Sequence, residues 1–575
     1  MMQNIKWLIA ATIALSLCAC ATQGSKHKHS ERDAKIVSFS SLAFKESPHQ
    51  FDVVDIDVHL VAQWQDPYVS SDVALDLEIT TPSGEQKLLP GYYLNGKSQA
   101  PSHWRVKIAP HEPGLYKVRA KLTDNNVVVY GEYKNLTVTP SPKKGFIRNY
   151  DGWSFVYDNG DLFRSIGQNF GWEARHNDDS KYFKALHEDK RFSYDEMIPK
   201  LRASGANTIR TWMIYWNLPV DWKNTANSER YTNTTDRFNQ SGIARLDQML
   251  EIAQAQDMKV ILSLDSHAGF IGEGWALNNY NTANGGPVSD PAAFFTDSSA
   301  KQLYKDKLRY VVARWSHSSA ILAWEFFNEI DNIIYSGPEH TAIVSDEAVV
   351  QWQDEVGEYL KAIDFHEHIT TTSISHRDVK GLFELPSIDL SQTHLYKVTD
   401  RIPEIISEKN AAYAQPYFVG EYSAEWDWSV NFDEISDTMI TDFKRGLWYG
   451  LFAETPILPL TWWWEYFDKH DVSRYMRHVE VINRLMLAGG NLQRYPTPAV
   501  AEGIYTAAVA NTDKAFIYLL NKTDQAQSVN LSQFVPAKRD YQIFDGDSGV
   551  YLSDHDRQNL TLNAQGNYIV IFSKN

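Results

Sequence analysis

The sequence predicts an α/β protein, a (β/α)8 TIM barrel flanked by an N-terminal β-sandwich and a small C-terminal β-sandwich, and three patterns carry that expectation. Between residues 145 and 490, apolar strand-like runs alternate with amphipathic helical stretches, as in a parallel sheet with crossover helices. Eight runs can be placed, ending near Gly171, Trp212, Asp265, Phe327, Ser375, His394, Gly420 and Trp464, and eight strands close such a barrel. On both sides of this stretch the pattern changes to short alternating runs broken by turn residues, the mark of a sandwich.

At the N-terminal end, Lys6 precedes the apolar run Trp7 to Leu17, too short and too early for a spanning helix, so residues 1–20 read as a secretory signal. The run closes with Leu17-Cys18-Ala19-Cys20, which resembles a bacterial lipobox with Cys20 as the lipidated residue. Cys18 fits worse because bulky Leu17 would sit at the cleavage position; a plain signal peptide is the alternative. Ala21 resembles outer-membrane sorting, so the expectation is an exported bacterial lipoprotein, on the periplasmic face or the cell surface, that touches the membrane only through its N-terminal lipid. Both cysteines lie here, which leaves the globule none for a disulfide, a zinc site or a thiol nucleophile. Residues 21–34 form a polar tether, and its alternate His27 and His29 are read as solvated linker.

The N-terminal sandwich is expected over 35–140, with strands at Val53 to Val61, Ala74 to Ile79, Trp104 to Ile108 and Tyr116 to Leu122. Pro140-Ser141-Pro142 marks its end as a stiff linker. In the barrel, Ser193 to Glu196 and Ser299 to Gln302 read as capping boxes. Tyr304, Leu308, Val311, Val312 and Trp315 recur at helical spacing as a core stripe. The C-terminal sandwich is expected over 495–575, with strands at Ile504 to Val509, Ala515 to Leu520, Tyr541 to Phe544 and Tyr568 to Phe572. Gly546-Asp547-Ser548-Gly549 is read as a turn between strands, and His366-Glu367-His368 as solvated surface.

A net charge of −17 spread along the chain argues against a nucleic-acid partner, which needs clustered Lys and Arg. Aromatic residues make up 13%, and several of the 18 Trp fall where loops leave strands; flat apolar rings suit the apolar faces of sugars, although core packing explains most single rings.

Polar residues at the C-terminal ends of barrel strands face the active site. The fourth run reads Trp324-Glu325-Phe326-Phe327-Asn328-Glu329 and the seventh Tyr417-Phe418-Val419-Gly420-Glu421-Tyr422, so each ends in a carboxylate. Cleaving a glycosidic bond needs such a pair, one carboxyl to protonate the leaving oxygen and the other to attack the anomeric carbon or activate water.

This arrangement resembles the clan A glycoside hydrolases, and most closely family 5, the cellulase and mannanase relatives, from about Ser165 to Leu487. Arg210 in Asn207-Thr208-Ile209-Arg210-Thr211-Trp212, His267, His394-Leu395-Tyr396 and Trp462-Trp463-Trp464 fall at that family's second, third, sixth and eighth strand positions. The resemblance implies that Glu329 is the acid/base, Glu421 the nucleophile, Asn328 a partner of the sugar 2-hydroxyl, and that Tyr396 and Arg210 hold Glu421 ionised and oriented. An acid must stay protonated near neutral pH, which calls for an apolar or like-charged setting around Glu329, while Arg210 should lower the pKa of Glu421. His267 and His394 would line the subsite at the scissile bond. One of the three tryptophans would floor it; Trp462 and Trp464 share a face, and Trp464 is favoured. Trp172, Glu173, Trp275 and Asn278 are further candidates for substrate contact.

The reading is thus retaining hydrolysis of a β-linked poly- or oligosaccharide, with no metal or organic cofactor. Arg210-Thr211-Trp212 leans toward β-mannan, with β-glucans and galactose-based algal glycans behind it, and Ile330 replaces the Pro that follows Asn-Glu in many cellulases. The rivals are a surface glycan-binding lipoprotein with a non-catalytic barrel and a transglycosylase. The sandwiches are expected either to wall the cleft or to orient the barrel.

Overall fold

The computed structural model describes residues 34–41, 47–498, 500–537, 539–553 and 558–574. The expected signal, Cys20 and the tether up to residue 33 lie outside them. No helix among the described residues is long and apolar enough to cross a membrane.

Seven parallel strands pair in sequence order: β1 (Gly167–Asn169), β2 (Thr208–Trp212), β3 (Lys259–Ser263), β4 (Ile321–Glu325), β5 (Ile369–Ile374), β6 (Leu390–Tyr396) and β7 (Tyr417–Ser423). Every residue of β2 to β5 is buried, which is why these runs are not alternating: a parallel strand covered on both faces has no solvent side. The eighth place is taken by extended chain at 456–462. Leu460 N–H donates to Val419 O (3.1 Å), Tyr422 N–H to Leu460 O (3.0 Å), and Leu458 N–H to Ser165 O (3.0 Å), which closes the barrel. Trp464 therefore does not end a strand; it opens a short helix, Trp464–Lys469. β1, β3 and β4 also stop two residues short of the expected ends, because the chain beyond them leaves the ladder to build the mouth.

Barrel helices follow as α1 (Tyr194–Ala203), α2 (Gln240–Ala255), α3 (Ser298–Trp315), α4 (Asp346–Ile363), α5 (Ile402–Ala412), α6 (Ser436–Leu451) and α7 (Tyr475–Ala488). β5 and β6 are joined through a 3-10 turn, Leu382–Glu384, in place of a helix. The expected stripe of α3 is buried. Neither expected capping box forms. The Ser193 hydroxyl makes no capping bond, and α3 is capped two residues earlier by Asp297, whose carboxylate accepts from Ser299 and Ala300 N–H and leaves Ser299 inside the helix.

The N-terminal sandwich is a four-stranded sheet facing a five-stranded one, with the expected strands at Val54–Val61, Val73–Thr80, Ser102–Ile108 and Gly114–Asp124. It is seated on α3 and on the segment before β5. Arg309 binds Asp76 (2.6 Å), Ser70 binds Asp306 (2.6 Å), Phe365 enters the sandwich core, and Ala109 N–H donates to His366 Nε2 (3.0 Å). That segment lies at the N-terminal end of the strands, and Tyr68 of the sandwich also packs on Phe238, just before α2 (5.1 Å).

The same contact overturns the reading of His366 and His368 as solvated: both are buried. His366 Nδ1 meets Ser316 Oγ (2.9 Å) and His368 Nδ1 meets Asp364 Oδ2 (2.8 Å). Burial pushes His111 and His317 down to about 3 and His366 well below its ordinary value, so these rings are neutral.

In the C-terminal sandwich the expected strands appear at Ile504–Ala510, Lys514–Asn521, Tyr541–Asp545 and Asn567–Ser573. Residues 546–549 form the expected turn. Its sheet is fixed to α6 by Tyr518, stacked on Phe452 (5.2 Å) and Trp448 (6.0 Å).

A buried histidine with a depressed pKa stabilises the fold above the unfolded value near 6.5, and that contribution is lost as the pH falls below it. His366→Gln should cost about 1–3 kcal/mol at pH 7 in chemical denaturation, from the perturbed buried hydrogen bonds, and the gap to wild type should narrow at pH 5, where only the wild type resists protonation at this position. A gap that is equal at both pH values contradicts the assignment.

Candidate active site

The mouth is organised around Arg210, the third residue of β2. Its side chain is fully buried, a setting in which an unpaired charge would cost several kcal/mol. Every one of its five N–H donors is used: Nε and Nη2 on Glu325 (2.7 and 2.6 Å), Nη1 on Asn169 (2.9 Å) and Glu421 (2.8 Å), and Nη2 on Asn328 (2.5 Å). Burial alone would push the guanidinium down, but Glu325 and Glu421 hold it charged, above its ordinary value. One side chain thus ties together residues from β1, β2, β4, β7 and the β4 loop.

Glu421 sits within β7 just after a bulge. Thr393 pairs with Val419 and His394 with Glu421, which leaves Gly420 without a partner across the ladder. Only glycine fits there, since a Cβ would fall 1.8 Å from Gln392 Oε1. Both oxygens of Glu421 are held: Oε1 by Arg210 and Oε2 by the Tyr396 hydroxyl (2.6 Å). Burial is the largest influence on this carboxyl and, with the neighbouring Glu329, pushes its pKa up, against His394, Arg210 and the Tyr396 hydrogen bond. The expected lowering by Arg210 is present but does not win, because desolvating the carboxylate outweighs it.

Glu329 lies beyond β4 in a left-handed backbone conformation, φ +52°, which costs a non-glycine residue about 1–2 kcal/mol. Neighbouring strands hold it there: Glu329 N–H donates to Ser373 Oγ (2.8 Å), Ile330 N–H to Ser373 O (3.0 Å) and Asn328 N–H to Asp265 O (2.9 Å). Its carboxyl meets Asn332 Nδ2 (2.9 Å), His394 Nδ1 (2.7 Å) and His267 Nδ1 (3.4 Å). His394 also reaches Glu421 Oε2 at 3.4 Å, and burial depresses its pKa to about 4, so it is a neutral ring between two carboxyls.

Oxygens of Glu329 and Glu421 and a nitrogen of His394 all fall within 4.8 Å of one another, and among the described residues this is the cluster that could offer ligands to a metal ion. A cation there would have to displace Arg210 and Tyr396 from Glu421 and sit beside a fixed guanidinium. Asn328 Nδ2 makes two long contacts, to Ser266 Oγ (3.4 Å) and His267 Nδ1 (3.3 Å).

The tryptophans are arranged differently from the expectation. Trp462 tilts on Trp212 (5.2 Å) and Trp172 meets both (5.4 and 5.2 Å), with Trp212 6.3 Å from His267. Trp464 lies deeper, 1% exposed behind Trp172 and Phe170, while Trp462, 9% exposed, keeps the larger open edge of the two. Trp463 points away onto Phe183 and Phe432, as alternation requires. Two candidates are used inside the protein: Glu173 pairs with Arg245 (2.5 Å), and Asn278 bonds Gly269 O and Tyr280 N–H (both 2.8 Å). Trp275 is half-buried against Phe270.

Sequence reasoning missed Glu325, Asn169, Asn332 and Ser373. Glu325 had a legible signal, a carboxylate inside an otherwise apolar strand that must find a charge partner. Glu325→Gln should cost about 3–5 kcal/mol, because it leaves the buried guanidinium under-compensated; a loss below about 1 kcal/mol in chemical denaturation contradicts the clamp.

Residues 167–438 match the model of cellulase, glycosyl hydrolase family 5, and residues 47–123 match a domain of unknown function, DUF5060. The chain is 26% identical over 246 residues to a probable mannan endo-1,4-beta-mannosidase A of Aspergillus flavus, covering 40% of this chain and 53% of that one. It is 25% identical over 241 residues to mannan endo-1,4-beta-mannosidase 5 of Arabidopsis thaliana, covering 40% and 49%. The chain spans about half the length of the curated relatives it matches. A solved putative glycoside hydrolase from Bacteroides vulgatus ATCC 8482 shares the fold, with a TM-score of 0.59 at 12% identity over 92% of this chain and 99% of that one. The barrel, whose Glu329 follows the fourth strand and whose Glu421 lies in the seventh, is accordingly a glycoside hydrolase domain similar to family 5 over residues 167–438.

Proposed function

We propose that the protein is a retaining β-glycoside hydrolase acting on a β-linked poly- or oligosaccharide, with β-mannan the first candidate. The observation that carries this is the approach of Glu329 and Glu421 oxygens to within 4.8 Å. Retaining enzymes hold their carboxyls about 5–5.5 Å apart, whereas inverting ones leave about 6.5–9.5 Å for a water. The mannosidase names of the partial relatives support the choice of mannan.

In the first step Glu421 attacks the anomeric carbon while Glu329 gives its proton to the departing glycosidic oxygen, which leaves a glycosyl ester and a free sugar hydroxyl. In the second, Glu329 takes a proton from water as that water's oxygen displaces Glu421, and both carboxyls return to their starting states. Arg210 and Tyr396 fix the attacking carboxylate, Asn328 exchanges one of its long amide contacts for the sugar 2-hydroxyl, and Trp462 offers an apolar edge. Neutral His394, between the two carboxyls, adds no charge to oppose the developing oxocarbenium ion. Placement at the outer membrane through a lipidated Cys20 rests on Leu17-Cys18-Ala19-Cys20 alone; Cys20→Ser should move the protein from membrane to soluble fractions, and unchanged fractionation rules the anchor out.

Wild type should release products from β-mannan with the β-configuration in proton NMR of the first minutes. Glu329→Ala should lose on the order of 10²–10⁴ in kcat on substrates with poor leaving groups, and Glu421→Ala should be inactive. Products of inverted configuration, or an active Glu421→Ala, would refute the mechanism.

A further inference from the structure

Among the described tryptophans only Trp426 and Trp428 are exposed, at 60% and 47%, and both sit on one short loop after the strand that carries Glu421. Scattered exposed apolar residues need no explanation, but two indoles on one loop beside a reactive site do. The loop is built to present them. The Glu425 carboxylate, itself nearly buried, accepts Trp426 N–H (2.9 Å) and Asp427 N–H (3.1 Å) and pairs with Lys397 (2.8 Å). Trp463 Nε1 donates to Glu425 O (2.6 Å), and Asp427 accepts Ser429 N–H (2.8 Å). The rings therefore project from an ordered turn.

Each ring is continuous with the catalytic mouth on a different side. Lys397 Nζ lies over Trp426 (5.8 Å) and directly follows Tyr396, the partner of Glu421. Arg175 lies over Trp428 (5.8 Å) and over Trp172 (5.0 Å), which belongs to the tryptophan cluster beside His267. Arg175 thus bridges the exposed indole and the tryptophan cluster at the mouth. Arg175 pairs with Asp178 (2.5 Å) and Lys397 with Glu425 (2.8 Å), and Asp427 adds a further carboxylate on the loop, so there is no excess of positive charge to attract an acidic sugar.

We propose that the loop 424–431 is a distal carbohydrate platform on which Trp426 and Trp428 stack against the apolar faces of neutral pyranose rings in the same chain whose bond is cut at Glu329 and Glu421. This rests on the hydrolase reading and sharpens it: the substrate is a neutral glycan long enough to run along the rim beyond the reacting sugars.

The test compares Trp426→Ala, Trp428→Ala and the double variant with wild type on mannohexaose and cellohexaose, and on the matching aryl β-biosides. Binding of the same hexaoses is measured by calorimetry in a Glu421→Ala background. The expected result is a fall of about 5–10-fold in kcat/KM and in affinity for the hexaose per ring removed, the size of one lost stacking contact, with bioside cleavage unchanged within about twofold. Hexaose binding and cleavage equal to wild type in the double variant overturn the platform, as does an equal loss on biosides, which would place the loop's effect on the catalytic groups. If wild type cuts nothing, the hydrolase reading fails, while calorimetry still decides whether the two rings hold a glycan.

Discussion

Burying a guanidinium at the centre of a barrel mouth is the constraint on which the rest of this site depends. Arg210 can be there only because five acceptors, from Asn169, Glu325, Asn328 and Glu421, meet all its donors. Those acceptors are in turn fixed by it. Two carboxylates on one guanidinium give the cluster a negative balance, of which only the Glu421 share is turned toward the open side. The nucleophile is therefore oriented by a cation whose own position is set by Glu325, a residue with no chemistry to perform. Positioning by pre-paired charge costs nothing further when the reaction begins, which is how fixed dipoles and charges serve catalysis better than mobile water does.

Strain and irregularity lie where the chemistry is placed. The bulge at Gly420 sets Glu421 opposite His394, and the left-handed backbone at Glu329 turns its carboxyl toward the same histidine. Regular strands could not do either, since alternation would commit each side chain to a face before the site was considered. The surrounding ladder bears the cost through Ser373, Asp265 and Gln392. The N-terminal sandwich meets the barrel on α3, on Phe238 before α2 and on the segment before β5, where neutral buried histidines form part of the seam.

Much of this was legible in the chain. Period and punctuation located the barrel strands and both sandwiches, because burial on two faces and burial on one write different patterns. The polar residues at strand ends gave Glu329, Glu421, Arg210, His267, His394 and Tyr396, all of which the fold brings to one mouth. What escaped detection depends on contacts distant in sequence. His366 and His368 look like surface residues until a second domain covers them. Trp464 looks like a strand residue until the chain turns into a helix after Trp463. Glu325 hides within the same apolar run as Glu329, and Ser373 acts through a backbone amide that no side-chain pattern reports. Trp426 and Trp428 fall in a loop whose exposure only the three-dimensional structure reveals.

The most direct test of the central claim is to trap the ester: treat the protein with an activated 2-deoxy-2-fluoro β-mannoside, digest it, and find the modified residue by mass spectrometry. The double-displacement account predicts one sugar on the peptide containing Glu421 and none in Glu421→Gln. A label on another carboxylate, or steady turnover of that reagent with Glu421 unmodified throughout, would contradict it.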